Sequence, residues 1–405
     1  QFISEALDQT RGWFYSLIAE STVLFGRSPF ENCIVMGLVQ DKDGIKMSKH
    51  KGNVVDPWDV LNKQGADAAR WYFYRANAPW LPSRFSDDAV KEGQNKFIGT
   101  YWNTYGFYIT YAEIDGFDPT KYELDKANLC AMDRWILSKV NTLAKDVTEN
   151  MDKYELGIAV QKVYDFIWEE FCDWYIEMVK PRLYRDEDKT KAAALWTLKT
   201  VLINSLKLLH PFMPFITEEI FGSVQNDEES IMISDWPIYK QEWNFPEDEE
   251  SVELIKEAVR GIRNTRTSMN VPPSRKAKAF VVSDDEKVRS IFEKSRVFFA
   301  TLGYANDVSV QEDKSGIADD AVSVLIDKAA VYIPFADLVD IEKEIARLEG
   351  EQAKMKKEIA RASGMLSNKK FVDKAPAAKV QEERDKLAKY EQMLAQIEER
   401  LGGLR

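Results

Sequence analysis

The chain has 405 residues, of which 45% are hydrophobic and 12% aromatic, and its formal net charge is −12. This composition excludes a disordered chain and a protein coated with basic surface, and the length predicts roughly two to four domains. An acidic total does not exclude RNA binding, because one local basic patch is enough to attract phosphates. No apolar run approaches the ~18 to 20 residues of a membrane helix, so we expect no membrane association.

Histidine and cysteine usage restricts the chemistry further. His50 and His210 are the only histidines, so the sequence holds no paired-histidine motif. The three cysteines, Cys33, Cys130 and Cys172, lie far apart, which suits a reducing cytoplasm and predicts no protein-bound metal. The first residues contain neither an initiator Met nor a basic segment, and we interpret them as an internal cut and not as a signal peptide.

The first 85 residues mix helix and strand patterns. Residues 11–27 have an aromatic-rich helical pattern, and Asn32–Val39 is a β-branched apolar run typical of a buried strand. A polar loop, Asp41–Pro57, follows the strand, and residues 58–75 return to helical spacing. Residues 1–85 therefore predict the end of a Rossmann-like α/β nucleotide-binding domain.

From residue 86 onward the pattern is mainly helical. Apolar side chains recur at three- and four-residue intervals through residues 86–245, which predicts a helical bundle. Acidic, proline-containing Asp227–Glu250 has the composition of a linker. Residues 246–333 begin with a helix and continue with alternating apolar segments, which indicates a small α/β unit. The expected fold class is therefore mainly α.

Residues 334–405 predict an antiparallel coiled-coil hairpin. Two series of apolar residues with 3-4 spacing are separated by the loop Ser367–Pro376, and the polar Gln352 interrupts the first series. The members are Leu338, Ile341, Ile345, Leu348, Met355 and Ile359, then Leu387, Tyr390, Leu394, Ile397 and Leu401.

The loop sequence Lys46-Met47-Ser48-Lys49-His50 directly follows the predicted strand. Ligands of open α/β sheets bind at this edge, where two lysines three residues apart can grip a polyphosphate. On spacing alone, a solvated lysine pair is the commoner explanation.

The longer sequence of this loop, from Asp41 to Pro57, resembles the KMSKS loop of class I aminoacyl-tRNA synthetases. Gly65–Arg70 is similar to the helix that follows that loop in the family. The resemblance implies that Lys49 stabilises the ATP triphosphate while the amino-acid carboxylate attacks the α-phosphate. Lys46 and Ser48 would shape the loop. ATP, with its Mg²⁺, is the nucleotide that the resemblance implies, and Met47 would adjoin it.

An upstream segment resembles the part of the isoleucine enzymes that holds the aminoacyl-adenylate. The resemblance implies that Glu5 and Gln9 face the adenylate, that Asp8 adjoins it and that Trp13 walls the pocket. Gly37, at the end of the predicted strand, would let the backbone approach adenine. Acidic residues here also suit a helix N-terminus, and both interpretations hold together.

Two parts of the family's catalytic apparatus lie outside this sequence. The HIGH motif needs two histidines, which His50 and His210 do not supply. The editing domain of the valine and isoleucine group precedes the matching segment. We therefore expect that this chain alone does not activate an amino acid.

Three helical segments, Asp133–Ser138, Tyr164–Tyr175 and His210–Glu219, resemble the anticodon-binding domain of class Ia enzymes. We interpret His210 as a capping or packing residue. Basic residues farther along are candidate tRNA contacts, with a solvated charge row as an equal alternative for the first group. They are Arg260, Arg263, Arg266, Arg275 and Lys276, and in the hairpin Lys354, Lys356, Lys357, Lys369, Lys370 and Lys374.

The resemblance divides along the chain. The sequence of residues 1–126 resembles the isoleucine enzymes. From about Met151 onward, including the hairpin, the sequence resembles the valine enzymes. A recombined sequence and an unusual lineage both account for this division. We expect part of a cytoplasmic, monomeric enzyme that ligates valine to its tRNA through an aminoacyl-adenylate. The alternatives are an isoleucine enzyme and a non-catalytic RNA-binding or coiled-coil protein.

Overall fold

A computed structural model describes residues 2–185, 187–225, 227–338, 341–368 and 377–404. The chain divides into two compact units, Gln1–Glu253 and Leu254–Arg405. Helices dominate both units, so the predicted mainly α fold class is confirmed. The four-part division at residues 85, 245 and 333 stays a prediction.

The first unit opens with a β-α-β element. Strands β1 (Phe2–Ala6) and β2 (Asn32–Met36) pair in parallel, and helix α1 (Trp13–Phe25) connects them. Helix α1 ends at Gly26, whose φ of 64° closes the helix in a left-handed conformation. The predicted strand is confirmed but its predicted burial is wrong, because β2 pairs with β1 alone in the described sheet and its side chains stay exposed or half-buried.

A second small element carries the loop that the sequence singled out. Strands β3 (Val39–Gln40) and β4 (Ser83–Arg84) pair in parallel, and helices α2 (Pro57–Gln64) and α3 (Ala66–Ala76) lie between them in the chain. Their shared apolar core comprises Val60, Ala68, Ala69, Phe85 and Val90.

A helical bundle forms the rest of the first unit, as predicted. Two of its segments, Gly93–Ile98 and Phe166–Tyr175, are π-helical. The α-helices are α4 (Asp87–Glu92), α5 (Gly99–Ile114), α6 (Ala131–Asp152), α7 (Leu156–Asp165), α8 (Ile176–Leu183), α9 (Lys191–Leu209) and α10 (Pro214–Val224). Helix α9 is apolar and long enough to cross a membrane, but 67% of its apolar window is buried within the protein, as in the core helix of a soluble bundle.

A buried charge cluster joins the first turn of α6 to the end of α8. The carboxylate of Asp133 accepts hydrogen bonds from the Tyr175 hydroxyl at 2.7 Å and from Arg182 Nη1 at 2.7 and 2.8 Å. Arg182 also donates to the backbone oxygen of Thr190 at 2.9 Å. Burial raises the pKa of the neighbouring Cys130 thiol to about 12, so this sulfur stays protonated and unreactive.

The predicted linker Asp227–Glu250 is not a free linker. The Asn141 side chain of α6 donates to the Lys240 carbonyl and accepts from its backbone N–H, at 2.9 and 2.8 Å. The Trp236 indole N–H donates to the Thr148 hydroxyl at 2.8 Å. The last residues of the segment already belong to helix α11 (Pro246–Ser268). Composition misled here because the partners of this segment lie about a hundred residues away in the sequence.

The second unit contains a four-stranded sheet packed with helices. Strands β5 (Ala277–Val282), β6 (Ala305–Gln311), β7 (Val322–Ile326) and β8 (Ala329–Ile333) lie in the order β6-β5-β8-β7. The small α/β unit was thus predicted, but β6 and helices α12 (Glu286–Lys294) and α13 (Arg296–Leu302) were not.

The hairpin consists of α15 (Ile341–Ser367) and α16 (Ala377–Leu404), which follow the short helix α14 (Phe335–Leu338). The described seam contains Leu348, Ile397 and Leu401, with Met355 packed against it. Gln352, which interrupts the apolar series, donates to Glu398 of the facing helix at 2.9 Å.

Candidate functional site

The loop of Lys46–His50 is anchored at its base by a tight turn. The Asp41 N–H donates to the Ile45 carbonyl at 2.9 Å, and Gln40 and Lys46 form an antiparallel bridge. Gly44 lies in this turn with a φ of 79°, a conformation that glycine adopts without strain.

Asn53 holds the loop from the inside. Its side-chain oxygen accepts from the Ser48 N–H at 2.9 Å, and its side-chain nitrogen donates to Asp41 at 2.7 Å. The other Asp41 oxygen accepts from the Ile45 N–H at 2.8 Å. These bonds hold the pKa of Asp41 below its ordinary value, and the bond from Asn53 contributes most. The carboxylate therefore stays ionised. Asn53 and Asp41 were not predicted as functional residues, although both lie in the wording that resembles the KMSKS loop.

The lysines of the loop are presented to solvent. Ser48 accepts from the Lys51 N–H and begins a single 3₁₀ turn, Lys49–Lys51. Within the described part of the chain, no hydrogen bond or ion pair holds the ammonium groups of Lys46 and Lys49. Met47 instead packs against the core around Val60. The loop is thus anchored by backbone bonds, by the Asp41 and Asn53 side chains and by Met47, while its two lysine side chains are exposed.

The predicted adenylate segment runs from β1 into α1. Glu5 lies on β1 opposite Val35, and Glu5 and Asp8 are exposed. The Gln9 side chain accepts from the Trp13 N–H at 2.9 Å and therefore caps α1. The adenylate roles of Glu5, Asp8, Gln9 and Trp13 stay predictions.

Gly37 has a structural reason to be a glycine. Its N–H donates to the Pro79 carbonyl at 2.8 Å, and an added Cβ would lie 2.3 Å from the Leu81 carbonyl oxygen. The chain's own backbone fills the space that a side chain would need. The predicted approach of adenine at Gly37 stays a prediction.

The predicted arginine row does not lie on one solvated face. Arg260 is exposed and Arg263 is half-buried, with its Nε donating to the Leu302 carbonyl at 2.7 Å. Arg266 is 3% exposed and holds backbone carbonyls inside the protein. Three residues turn a helix by about 300°, which is about 60° short of a full turn. Each successive arginine therefore lies about 60° farther around the helix, closer to the core. The burial of its side chain disfavours direct tRNA contact by Arg266, and this candidate role stays a prediction.

The remaining basic candidates differ in exposure. Lys276 is exposed and Arg275 half-buried after α11. On the hairpin, Lys356 is exposed and forms an ion pair with Glu398 at 3.4 Å. Lys354 and Lys357 are exposed too. Lys369, Lys370 and Lys374 lie outside the described residues, so their predicted roles stay predictions.

His210 lies at the end of α9 and packs there, with its Nδ1 2.7 Å from the Thr217 hydroxyl. Burial lowers its pKa. Among the residues that the structure describes, no three His, Cys, Asp or Glu side chains form a group that could hold a metal.

Three family models match the chain. The model described as tRNA synthetases class I (I, L, M and V) matches residues 1–80, and the anticodon-binding domain of tRNA ligase matches residues 133–281. The valyl tRNA synthetase tRNA binding arm matches residues 340–405. The chain belongs to the class I aminoacyl-tRNA synthetases, which confirms the resemblance found in the sequence.

Curated relatives carry two amino-acid specificities. A valine–tRNA ligase of Clostridium acetobutylicum is 42% identical over 393 residues, which cover 97% of this chain and 44% of the relative. An isoleucine–tRNA ligase of Clostridium tetani is 46% identical over 289 residues, which cover 70% of this chain and 28% of the relative. The chain thus spans less than half of the length of these relatives.

Among solved structures, a LeuRS–tRNA–LeuAMS ternary complex of Agrobacterium radiobacter K84 has a similar fold, with 17% sequence identity and a TM-score of 0.47. The match covers 60% of this chain and 30% of the matched chain. A likeness of this size adds no inference about function.

Proposed function

We propose that this chain is part of a valine–tRNA ligase, which joins valine to its tRNA through valyl-adenylate formed with ATP. The main support is that the similarity to valine ligases runs through the hairpin, over 97% of the chain. The isoleucine ligases are 46–48% identical, slightly more than the valine ligases, but cover only 67–70% of the chain. An isoleucine ligase is therefore the second candidate.

Binding of the chain to transcripts of the two tRNAs tests this proposal. We expect tighter binding to the valine tRNA, and affinity that falls as salt is raised, because phosphate contacts release counterions. Preference for the isoleucine tRNA would move the assignment to the second candidate. Absence of binding to either tRNA would contradict both.

The loop of Lys46–His50 is the proposed ATP-contacting element. Lys49, supported by Lys46 and by the Ser48 turn, would neutralise charge that develops on the triphosphate during adenylate formation. The exposed, unpaired ammonium groups and the backbone anchoring described above support this role. Mg²⁺ would travel with the nucleotide, and we assign it no ligand from this chain.

Substitution in a full-length ligase that carries these residues tests the loop. Lys49→Ala is expected to slow adenylate formation strongly while tRNA affinity changes little, because the lysine acts on the reacting phosphate. Lys42→Ala, in the same loop and also exposed, is the matched control and should affect neither. Equal losses of adenylate formation and tRNA affinity for Lys49→Ala would contradict the assigned role.

The proposed tRNA-contacting surface contains Arg260, Arg275, Lys276 and, on the hairpin, Lys356. Affinity falls as salt rises, and each lost phosphate contact makes the plot of log K against log salt less steep by about 0.7 to 0.9. Single Gln variants are therefore expected to reduce this slope as well as the affinity. An affinity loss without a change in slope would remove that residue from the surface.

A non-catalytic RNA-binding or coiled-coil protein is the alternative from another class. The anchored loop with two unpaired lysines favours part of an enzyme, because an interaction module has no use for it. We further propose a cytoplasmic, monomeric enzyme.

A further inference from the structure

A defined turn, residues 269–276, connects α11 to β5. Asn270 has a φ of 55°, and the Val271 N–H donates to the Arg266 carbonyl at 2.8 Å. Together with the bond from the Asn270 N–H to the Thr267 carbonyl at 3.0 Å, this is the Schellman ending of a helix. Pro272 follows directly and restricts the backbone further. The turn therefore begins in a fixed direction.

The Arg266 side chain fills the inside of this turn. Its Nη2 donates to the carbonyl of Pro272 at 3.0 Å and to that of Arg275. The Arg275 N–H in turn donates to the Pro272 carbonyl at 3.1 Å. One planar guanidinium thus fixes both ends of the segment that leads to the basic pair Arg275 and Lys276.

Tyr304 ties the same guanidinium to the second basic residue. The Arg266 guanidinium lies 5.4 Å from the centre of the Tyr304 ring, and the Lys276 ammonium lies 4.9 Å from it. The Ala277 N–H donates to the Tyr304 carbonyl at 3.1 Å. Both cations are attracted by one aromatic ring, which offsets part of their mutual repulsion.

Charge repulsion makes this arrangement unexpected for a purely structural turn. Burial lowers the pKa of Arg266; Tyr304 opposes this, and the nearby positive charge of Arg275 adds to it. A buried cation beside half-buried Arg275 and exposed Lys276 costs free energy of folding, through desolvation and charge repulsion. Arg266 also has a buried Nη1 without a hydrogen-bond partner in the described residues.

We propose that Arg266 is a positioning residue for tRNA: it holds the 269–276 turn so that Arg275 and Lys276 together contact phosphodiester groups. This inference rests on the proposed tRNA-binding function. Long basic side chains on a preformed turn lose less conformational entropy on binding than the same side chains on a loose loop. Arg266 itself stays buried and touches no RNA.

The expected effects follow from counterion release. One phosphate contact is worth about fivefold in affinity at 0.15 M salt, so disordering both contacts costs up to about 25-fold. Arg266→Met removes both carbonyl contacts and is expected to weaken binding of a valine tRNA transcript and to lower its salt slope. Both carbonyl bonds come from one nitrogen, Nη2, so Arg266→Lys, whose ammonium can donate to both carbonyls, should restore part of the affinity.

A double-mutant cycle tests the positioning role in the full chain. In an Arg275→Gln/Lys276→Gln background, Arg266→Met is expected to have no further effect on affinity or salt slope. Equal losses in both backgrounds would show that Arg266 acts only through overall stability and would overturn the proposal. Arg296→Gln, an exposed arginine of α13 paired with Glu293, is the matched control and should leave tRNA binding unchanged.

Backbone amide hydrogen exchange supplies a second readout. Arg266→Met is expected to speed exchange in residues 270–276, and Arg266→Lys to do so less, while the β5–β8 sheet keeps its protection. Unchanged exchange in the turn, or unchanged tRNA affinity, would overturn the positioning role alone. Failure of the wild-type chain to bind any tRNA would overturn the proposed function as well.

Discussion

The Asp133 cluster allows a strong test of how this bundle is stabilised. The Asp133 side chain is fully buried, and that of Arg182 is 15% exposed. Asp133→Ala removes the carboxylate that pairs with Arg182 and accepts from Tyr175, so a guanidinium charge is left buried without compensation. The loss concerns α6 and α8 together, because the cluster joins these two helices.

The magnitude follows from the burial of the pair. Removing one partner of a buried ion pair costs about 3–5 kcal/mol in the free energy of unfolding. In a unit of this size each kcal/mol corresponds to about 2–4 °C in Tm. We therefore expect Tm of the first unit to fall by about 10 °C. Replacing both partners by apolar residues, Asp133→Leu with Arg182→Met, should recover much of the loss.

Urea unfolding followed by tryptophan fluorescence and by far-ultraviolet circular dichroism provides the assay. A loss below about 1 kcal/mol for Asp133→Ala would refute the argument from the uncompensated charge. The same conclusion would follow if the double variant were no more stable than Asp133→Ala. Lys162→Met, which breaks the half-exposed pair with Asp146, is the control and should cost less than about 1 kcal/mol.

Three further predictions concern packing, the hairpin seam and pH. An added Cβ at Gly261 would lie 2.2 Å from Val324 Cγ1, so Gly261→Ala should destabilise the second unit by about 1–3 kcal/mol in chemical denaturation. Adding Val324→Ala should restore part of this loss. Gly350→Ala, where the added Cβ meets open space, is the control and should not destabilise the unit. Gln352→Leu should raise the hairpin's melting temperature, since it continues the apolar seam; a decrease would show that the polar contact stabilises the hairpin. Burial lowers the pKa of His210 below its ordinary value of 6.5, so the unfolded state binds more protons and stability falls as pH drops through 6.5. His210→Asn should make the midpoint of urea unfolding less dependent on pH in this range. An unchanged pH profile would contradict the assignment to His210.

Elements with local signals were predictable from the sequence. Helix α1 lies within the helical pattern of residues 11–27, and the heptad spacing of the hairpin predicts two facing helices. Strand β6 was missed because exposed polar residues interrupt its apolar pattern at Asn306 and Asp307. The segment around Lys240 was misjudged because Asn141, which holds it, is distant in sequence.

The same limit applies to the candidate site. The Lys46–His50 loop was found from its wording, but the role of Asn53 depends on two contacts that spacing does not specify. The burial of Arg266 was not foreseen because a repeat of three was taken as one helix face. Burial of a long side chain depends on the neighbouring sheet, which the helix sequence does not contain.

The bond between Asp41 and Asn53 also constrains the segment that carries Lys46 and Lys49. It connects two residues of the Asp41–Pro57 loop that are 12 positions apart. The intervening segment is therefore closed by a side-chain hydrogen bond, which removes part of the backbone freedom of an open loop. If the loop has its proposed role, less backbone entropy would be lost when Lys46 and Lys49 meet a triphosphate.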